Sequence, residues 1–170
     1  MKLGAFIVFA LLLTGASANA ETKNEKNDKA KVFKDWVIEC ETTPAKTELC
    51  FASQNQTMKE GAGRLLKVSI GYIGPKGEPT IVAMLPLGIY LPAGAAFKVG
   101  EAKTQTQLVI QSCTTGGCSS VARLDDKIVS ALLTEKDMTI GVKSSQNGKT
   151  LAIKVSLNGF KQAFETLKKK

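Results

Sequence analysis

Histidine is absent from all 170 residues, and that absence removes more chemistry than any residue present supplies. Without an imidazole there is no Ser-His-Asp or Cys-His nucleophile arrangement, no H-E-x-x-H metalloprotease helix and no histidine-held metal. Arginine occurs only as Arg64 and Arg123, whereas specific phosphate recognition favours the planar guanidinium; nucleic acid is therefore not an expected partner. Neither G-x-x-x-x-G-K-[ST] nor G-x-G-x-x-G occurs, and a largely β chain has no βαβ unit on which to mount such a phosphate cradle. Carboxylate pairs of the kind glycosidases use reduce to Glu39 with Glu41 and Asp125 with Asp126, which read as a strand edge and a helix cap. No catalytic residue, cofactor or metal is expected.

Also missing is any apolar stretch of the roughly 20 residues a membrane-spanning helix needs. The apolar run Leu3 to Leu13 is too short. It follows Lys2 and leads through small residues to Ala18-Asn19-Ala20, the order of a secretory signal peptide with an A-x-A cleavage site. Cleavage after Ala20 is expected, with no cysteine nearby to take a lipid. Residues 21–32 are charged and almost free of apolar side chains, as in a flexible leader. Residues 33–170 are expected to form one domain.

Lysine and arginine number 23 against 15 acids, a formal net charge of +8. The lysines are densest at the chain ends, Lys23 to Lys34 and Lys168 to Lys170, where they read as solvated tails. Of four cysteines, an even number in an exported chain reads as disulfides. Cys40–Cys50 and Cys113–Cys118 are the favoured pairs, because each closes a short turn-rich loop, through Thr43-Pro44 and Gly116-Gly117. Zinc is the competing use, but these spacings do not match paired C-x2-C knuckles.

The remainder is short β-type runs punctuated by turn residues, as in a sandwich or partly closed barrel. Strands are expected at 35–40, 49–57, 64–73, 95–100 and 105–113. Trp36, the single tryptophan, reads as a core anchor. The most apolar stretch, Ile81 to Leu91, reads as two buried strands meeting at a Pro86-Gly88 bend, with Leu85 and Leu87 inside. The alternative is an exposed loop that docks on a partner or membrane. Asp125 or Asp126 caps a short helix to about Leu133. Met138, Ile140 and Val142 then face Leu151, Ile153, Val155 and Leu157 across a tight Asn147-Gly148 turn. Asn158 is the expected cap of a last helix carrying the stripe Phe160, Ala163, Phe164, Leu167. Asn55-Gln56-Thr57 is a glycosylation sequon by pattern only.

Taken in order, these pieces resemble the invasion-associated locus B family of exported bacterial proteins. The resemblance rests on Trp36 with Cys40, Cys50 with Gln54, Pro86-Leu87-Gly88 and Leu91-Pro92-Ala93-Gly94. It continues through Cys113 with Gly117-Cys118, and Leu157 to Phe160 with Ala163. It implies a mostly β fold, an immunoglobulin-like β-sandwich with one or two short helices stapled by two disulfides. It also implies a periplasmic, cell-envelope or secreted location and a link to host-cell invasion, notably of erythrocytes. The functional expectation is a non-enzymatic protein that acts by binding. Its partner would be a host-cell surface or a periplasmic or outer-membrane protein. The alternative is an envelope housekeeping factor that binds a small ligand or partner protein.

Overall fold

Side-chain alternation is the signal that places most of this chain in strands. The structure, a computed structural model, describes residues 31–58 and 63–167. Ten strands run through them: β1 (Val32–Phe33), β2 (Trp36–Thr42), β3 (Glu48–Thr57), β4 (Arg64–Gly71), β5 (Thr80–Leu85), β6 (Ala95–Val99), β7 (Thr106–Thr114), β8 (Gly117–Arg123), β9 (Asp137–Lys143) and β10 (Thr150–Ser156). Helix α1 (Asp126–Thr134) lies between β8 and β9, and α2 (Phe160–Glu165) follows β10. In β2, Trp36 and Ile38 are buried while Val37 and Glu39 are half-buried on the other face, the period of two that a pleated strand imposes.

All pairings are antiparallel, in the order β1-β2-β3-β4-β5-β8-β7-β6-β9-β10. Strand β7 pairs with β8 on one side and β6 on the other, and its register against β8 shifts between Ile110 and Ser112. Such an irregularity bends a strand and increases its twist. The one sheet thereby folds over into a sandwich-like shape whose two layers enclose the core. Trp36, Leu66, Ile70, Ile81 and Leu85 of the first layer are buried in one cluster with Phe97, Met138, Ile140 and Val155 of the second. Helix α2 adds Phe160, Ala163 and Phe164, with Leu167 just beyond it, all buried. The Phe160 ring lies 4.8 Å from that of Trp36, within the range of favourable aromatic pairs.

The free edge of β10 meets β2 and β3 without a backbone ladder. Trp36 Nε1–H and the Gln54 side-chain amide donate to Ser156 O at 2.9 and 3.0 Å, and the Gln56 amide donates to Lys154 O at 2.6 Å. Three side chains thus close a seam between the first and last parts of the sheet. Both disulfides join residues directly opposite in neighbouring strands, Cys40 with Cys50 across β2–β3 and Cys113 with Cys118 across β7–β8.

Several elements differ from the sequence expectation. Strand β8, GCSSVAR, is not anticipated because serines dilute its apolar character. It is central all the same, between β5 and β7, and Ser120 is fully buried with its hydroxyl donating to Ala83 O at 3.0 Å. The apolar stretch from Ile81 holds one strand rather than two: β5 ends at Leu85, and the chain then leaves the sheet. Leu87, expected inside, is 56% exposed. The β9–β10 connection spans residues 144–149 and is not a two-residue turn. Only Gly148 takes a positive φ (65°), while Asn147 Oδ1 accepts from Lys149 N–H. Asn158 does not cap α2; Gly159 does, at φ 87°. A Cβ there would lie 2.0 Å from the Phe33 carbonyl oxygen, so only glycine fits. Val32, assigned to the leader, pairs with Val37 in the sheet.

Candidate functional site

Strand directions bring four connections to one end of the sandwich: β3–β4, β5–β6 (residues 86–94), β7–β8 and β9–β10 (residues 144–149). The β5–β6 connection dominates this end. Pro86 has no N–H to continue the ladder beyond Leu85, and Gly88 turns the chain at φ 81°. Ile89 then returns to the core, 9% exposed, and bridges to Ser144. Tyr90 N–H donates to Lys143 O at 2.7 Å, and both the N–H and hydroxyl of Ser145 donate to Gly88 O at 2.8 Å. Leu91–Ala93 close as a single 3-10 turn.

This bonding fixes the loop with its apolar side chains turned outward. Leu87, Tyr90 and Leu91 are 56, 50 and 50% exposed, and Met58 and Leu151 beside them are 39 and 40% exposed. Two hollows flank the Pro86-Leu87 ridge. One, of about 200 Å³, is lined by Met58, Leu65, Ile89 and Leu151 together with the ridge. The other, of about 350 Å³, adds Arg64 and the Gly116-Gly117 turn. Exposed large apolar groups gathered in one place are uncommon on a solitary soluble surface and mark contact sites.

A third hollow lies on the outer face of the first layer, about 320 Å³, floored by Leu49, Phe51, Val82 and Met84 and edged by Glu41 and Lys67. Lys67 Nζ is 2.5 Å from Glu39 Oε2 and 5.9 Å from the Phe51 ring centre. Ser53 also donates to that Glu39 carboxylate. Glu39 therefore holds the sheet face together, and Glu41 stands at the rim.

The other residues singled out by sequence fall into structural positions. Asp125 Oδ1 accepts from Ile128 N–H at 2.8 Å as the cap of α1, with Asp126 in the first turn. Trp36 is fully buried. The α2 stripe packs inward. Cys40 and Cys50 lie close to Glu48, but their sulfurs are joined to each other, which removes the thiolates that a metal would need. Ala20 lies outside the described residues. The sequence places a bend at Pro86-Gly88 within the Ile81–Leu91 stretch, but the buried strand expected beyond it is instead a loop with Leu87 exposed. The break is signalled by Pro86 alone. The contributions of Met58 and Leu151 have no local signal, because they depend on which strand ends meet.

Among the described residues no helix is long and apolar enough to cross a membrane. The family model described as Invasion associated locus B (IalB) protein matches residues 36–168. The crystal structure of invasion associated protein B from Bartonella henselae is similar in fold, with a TM-score of 0.69 at 21% identity, covering 79% of this chain and 91% of that one. A comparison with curated proteins finds no match.

Proposed function

The chain belongs to the invasion-associated locus B family, and from that premise we propose that it is an exported, non-enzymatic protein that acts by binding, in the contact of a bacterium with host cells. Residues 1–20 direct export and are removed after Ala20, residues 21–32 are a leader whose last residue, Val32, joins the sheet, and residues 33–170 form the rest of the working domain. The protein then resides in the periplasm or envelope or is secreted. The observation that carries the binding role is the outward-facing, hydrogen-bonded loop with Leu87, Tyr90 and Leu91 exposed. A loop held this firmly gives up little conformational freedom when it meets a partner.

The test uses protein purified from the periplasm and washed erythrocytes or endothelial cells. Saturable binding is expected, and Leu87→Asp with Leu91→Asp should weaken it roughly tenfold or more, as loss of exposed anchor residues does. Both side chains are at least half exposed, so the melting temperature should stay unchanged. Full binding by that variant would overturn the assignment of the site. A deletion strain scored for cell entry and for detergent sensitivity tests the role itself. An entry defect supports host contact, whereas detergent sensitivity alone favours the housekeeping alternative.

A further inference from the structure

Charge is distributed unevenly between the two ends of the sandwich. The segments that build the apolar end are residues 63–65, 86–94, 114–117 and 143–151. Among the described residues they carry Arg64, Lys143 and Lys149 and no carboxylate; Lys59 and Glu60 of the β3–β4 connection lie outside the described residues. Arg64 lines the hollow beside Leu87 and donates to Gly116 O. Lys143 supplies the carbonyl that anchors Tyr90, and Lys149 the carbonyl that accepts from Ser144. The acids gather at the opposite end: Glu78 before β5, Glu101 after β6, Asp125 and Asp126 at the start of α1, and Glu135 and Asp137 after it. An apolar tip with a cationic surround, pointing away from the acids just named, is complementary to one kind of surface in particular. That surface is apolar below and negative above.

We propose that this end inserts shallowly into anionic phospholipid bilayers. This rests on the reading of the same end as the binding surface, and names its partner. Leu87 and Leu91 are of a size to enter the acyl boundary. Tyr90, with an apolar ring and a polar hydroxyl, suits the headgroup level where tyrosine and tryptophan concentrate. Arg64, Lys143 and Lys149 then face lipid phosphates. Each cation near an anionic leaflet strengthens partition by roughly fivefold, and neither a few apolar side chains nor a few charges would hold a protein of this size at a membrane alone. A protein receptor could also use the apolar tip, but the three cations around it, Arg64, Lys143 and Lys149, favour an anionic lipid surface.

The experiment is co-sedimentation of the protein with vesicles of phosphatidylcholine alone and of equimolar phosphatidylcholine and phosphatidylglycerol. Binding is expected to the anionic vesicles, with little to the neutral ones, and should fall as salt is raised. Leu87→Asp with Leu91→Asp should reduce it roughly tenfold or more, and Lys143→Glu with Lys149→Glu by a comparable factor. All four positions lie on the surface, and unchanged melting temperatures confirm that each variant is folded. Tyr90→Trp adds a reporter, because its fluorescence should shift to the blue on contact with the anionic vesicles. Absence of binding to anionic vesicles, or binding that neither variant pair alters, would overturn the lipid assignment. Tip-dependent binding to whole cells in that same circumstance, lost on protease treatment of the cells, would leave the binding surface standing with a protein receptor instead.

Discussion

Leu85 and Leu87 are two positions apart and would share a face in any continuous strand, yet one is 1% exposed and the other 56%. Pro86 separates their fates. Leu85→Asp puts a charge without a partner among Ile81, Leu66 and their neighbours, and should cost about 3–5 kcal/mol or prevent accumulation. Leu87→Asp should change stability by less than about 0.5 kcal/mol. Paired thermal melts check both, and equal losses would return the ridge to the core. Composition alone could not separate these leucines, because an apolar run states that burial is available but not where the chain turns away. Trp36 was legible, since a lone tryptophan in an alternating strand has few other places to go. At the acidic end, Glu78 titrates below its ordinary value of 4.5. The hydrogen bond from its own backbone N–H is the largest cause, Lys76 N–H and Arg123 add to it, and burial opposes. A carboxyl depressed in the folded state stabilises fully above its ordinary range, and that contribution fades as pH falls through the depressed value. Melts of wild type and Glu78→Gln should therefore differ at neutral pH and converge in acid.

Among the elements, those that announce themselves are the ones whose partner is next in sequence. The β2–β3 and β9–β10 pairs can be read from alternation and an intervening turn. Their details still depend on tertiary context, as Asn147-Gly148 lying inside a longer connection makes clear. Strand β8 is hidden because its worth comes from being sandwiched between β5 and β7 rather than from its own residues. Each disulfide ties strands that a hairpin already joins, closing loops with sequence separations of 10 and 5. Removing so short a loop constraint costs about 2–3 kcal/mol. Cys113→Ser with Cys118→Ser should therefore lower the urea midpoint and leave a cooperative transition; loss of cooperativity would assign the bridge a larger part. Helix α2 depends on its start more than on its length. Gly159→Ala would force a positive φ on alanine, costing roughly 1–2 kcal/mol, and drive a methyl group into the Phe33 carbonyl. The stripe from Phe160 should then separate from Trp36, which a change in tryptophan fluorescence would report.

Across the whole molecule, the mostly β class could be read from the sequence, while the strand order could not. Alternation says which side chains are buried but not against which strand, so the distant pairings β5–β8 and β6–β9 have no local signature. Distant pairings slow folding, because chain entropy is lost before contacts repay it. Refolding should accordingly take milliseconds to seconds, and a stopped-flow trace complete within microseconds would contradict this topology. The seam along β10 has a consequence of another sort. An exposed strand edge is a template on which a second chain can add itself, and proteins blunt such edges in several ways. Here Gln54, Gln56 and Trp36 occupy the very carbonyls that a newcomer would need. Gln54→Leu with Gln56→Leu frees Lys154 O, leaves Ser156 O to Trp36 alone, and adds apolar surface beside both. The variant should form fibrils or sheet-swapped assemblies at concentrations where the parent stays dispersed, which thioflavin fluorescence and light scattering would follow. Two glutamine side chains, beside one tryptophan, would then help keep many copies of this protein from becoming one sheet.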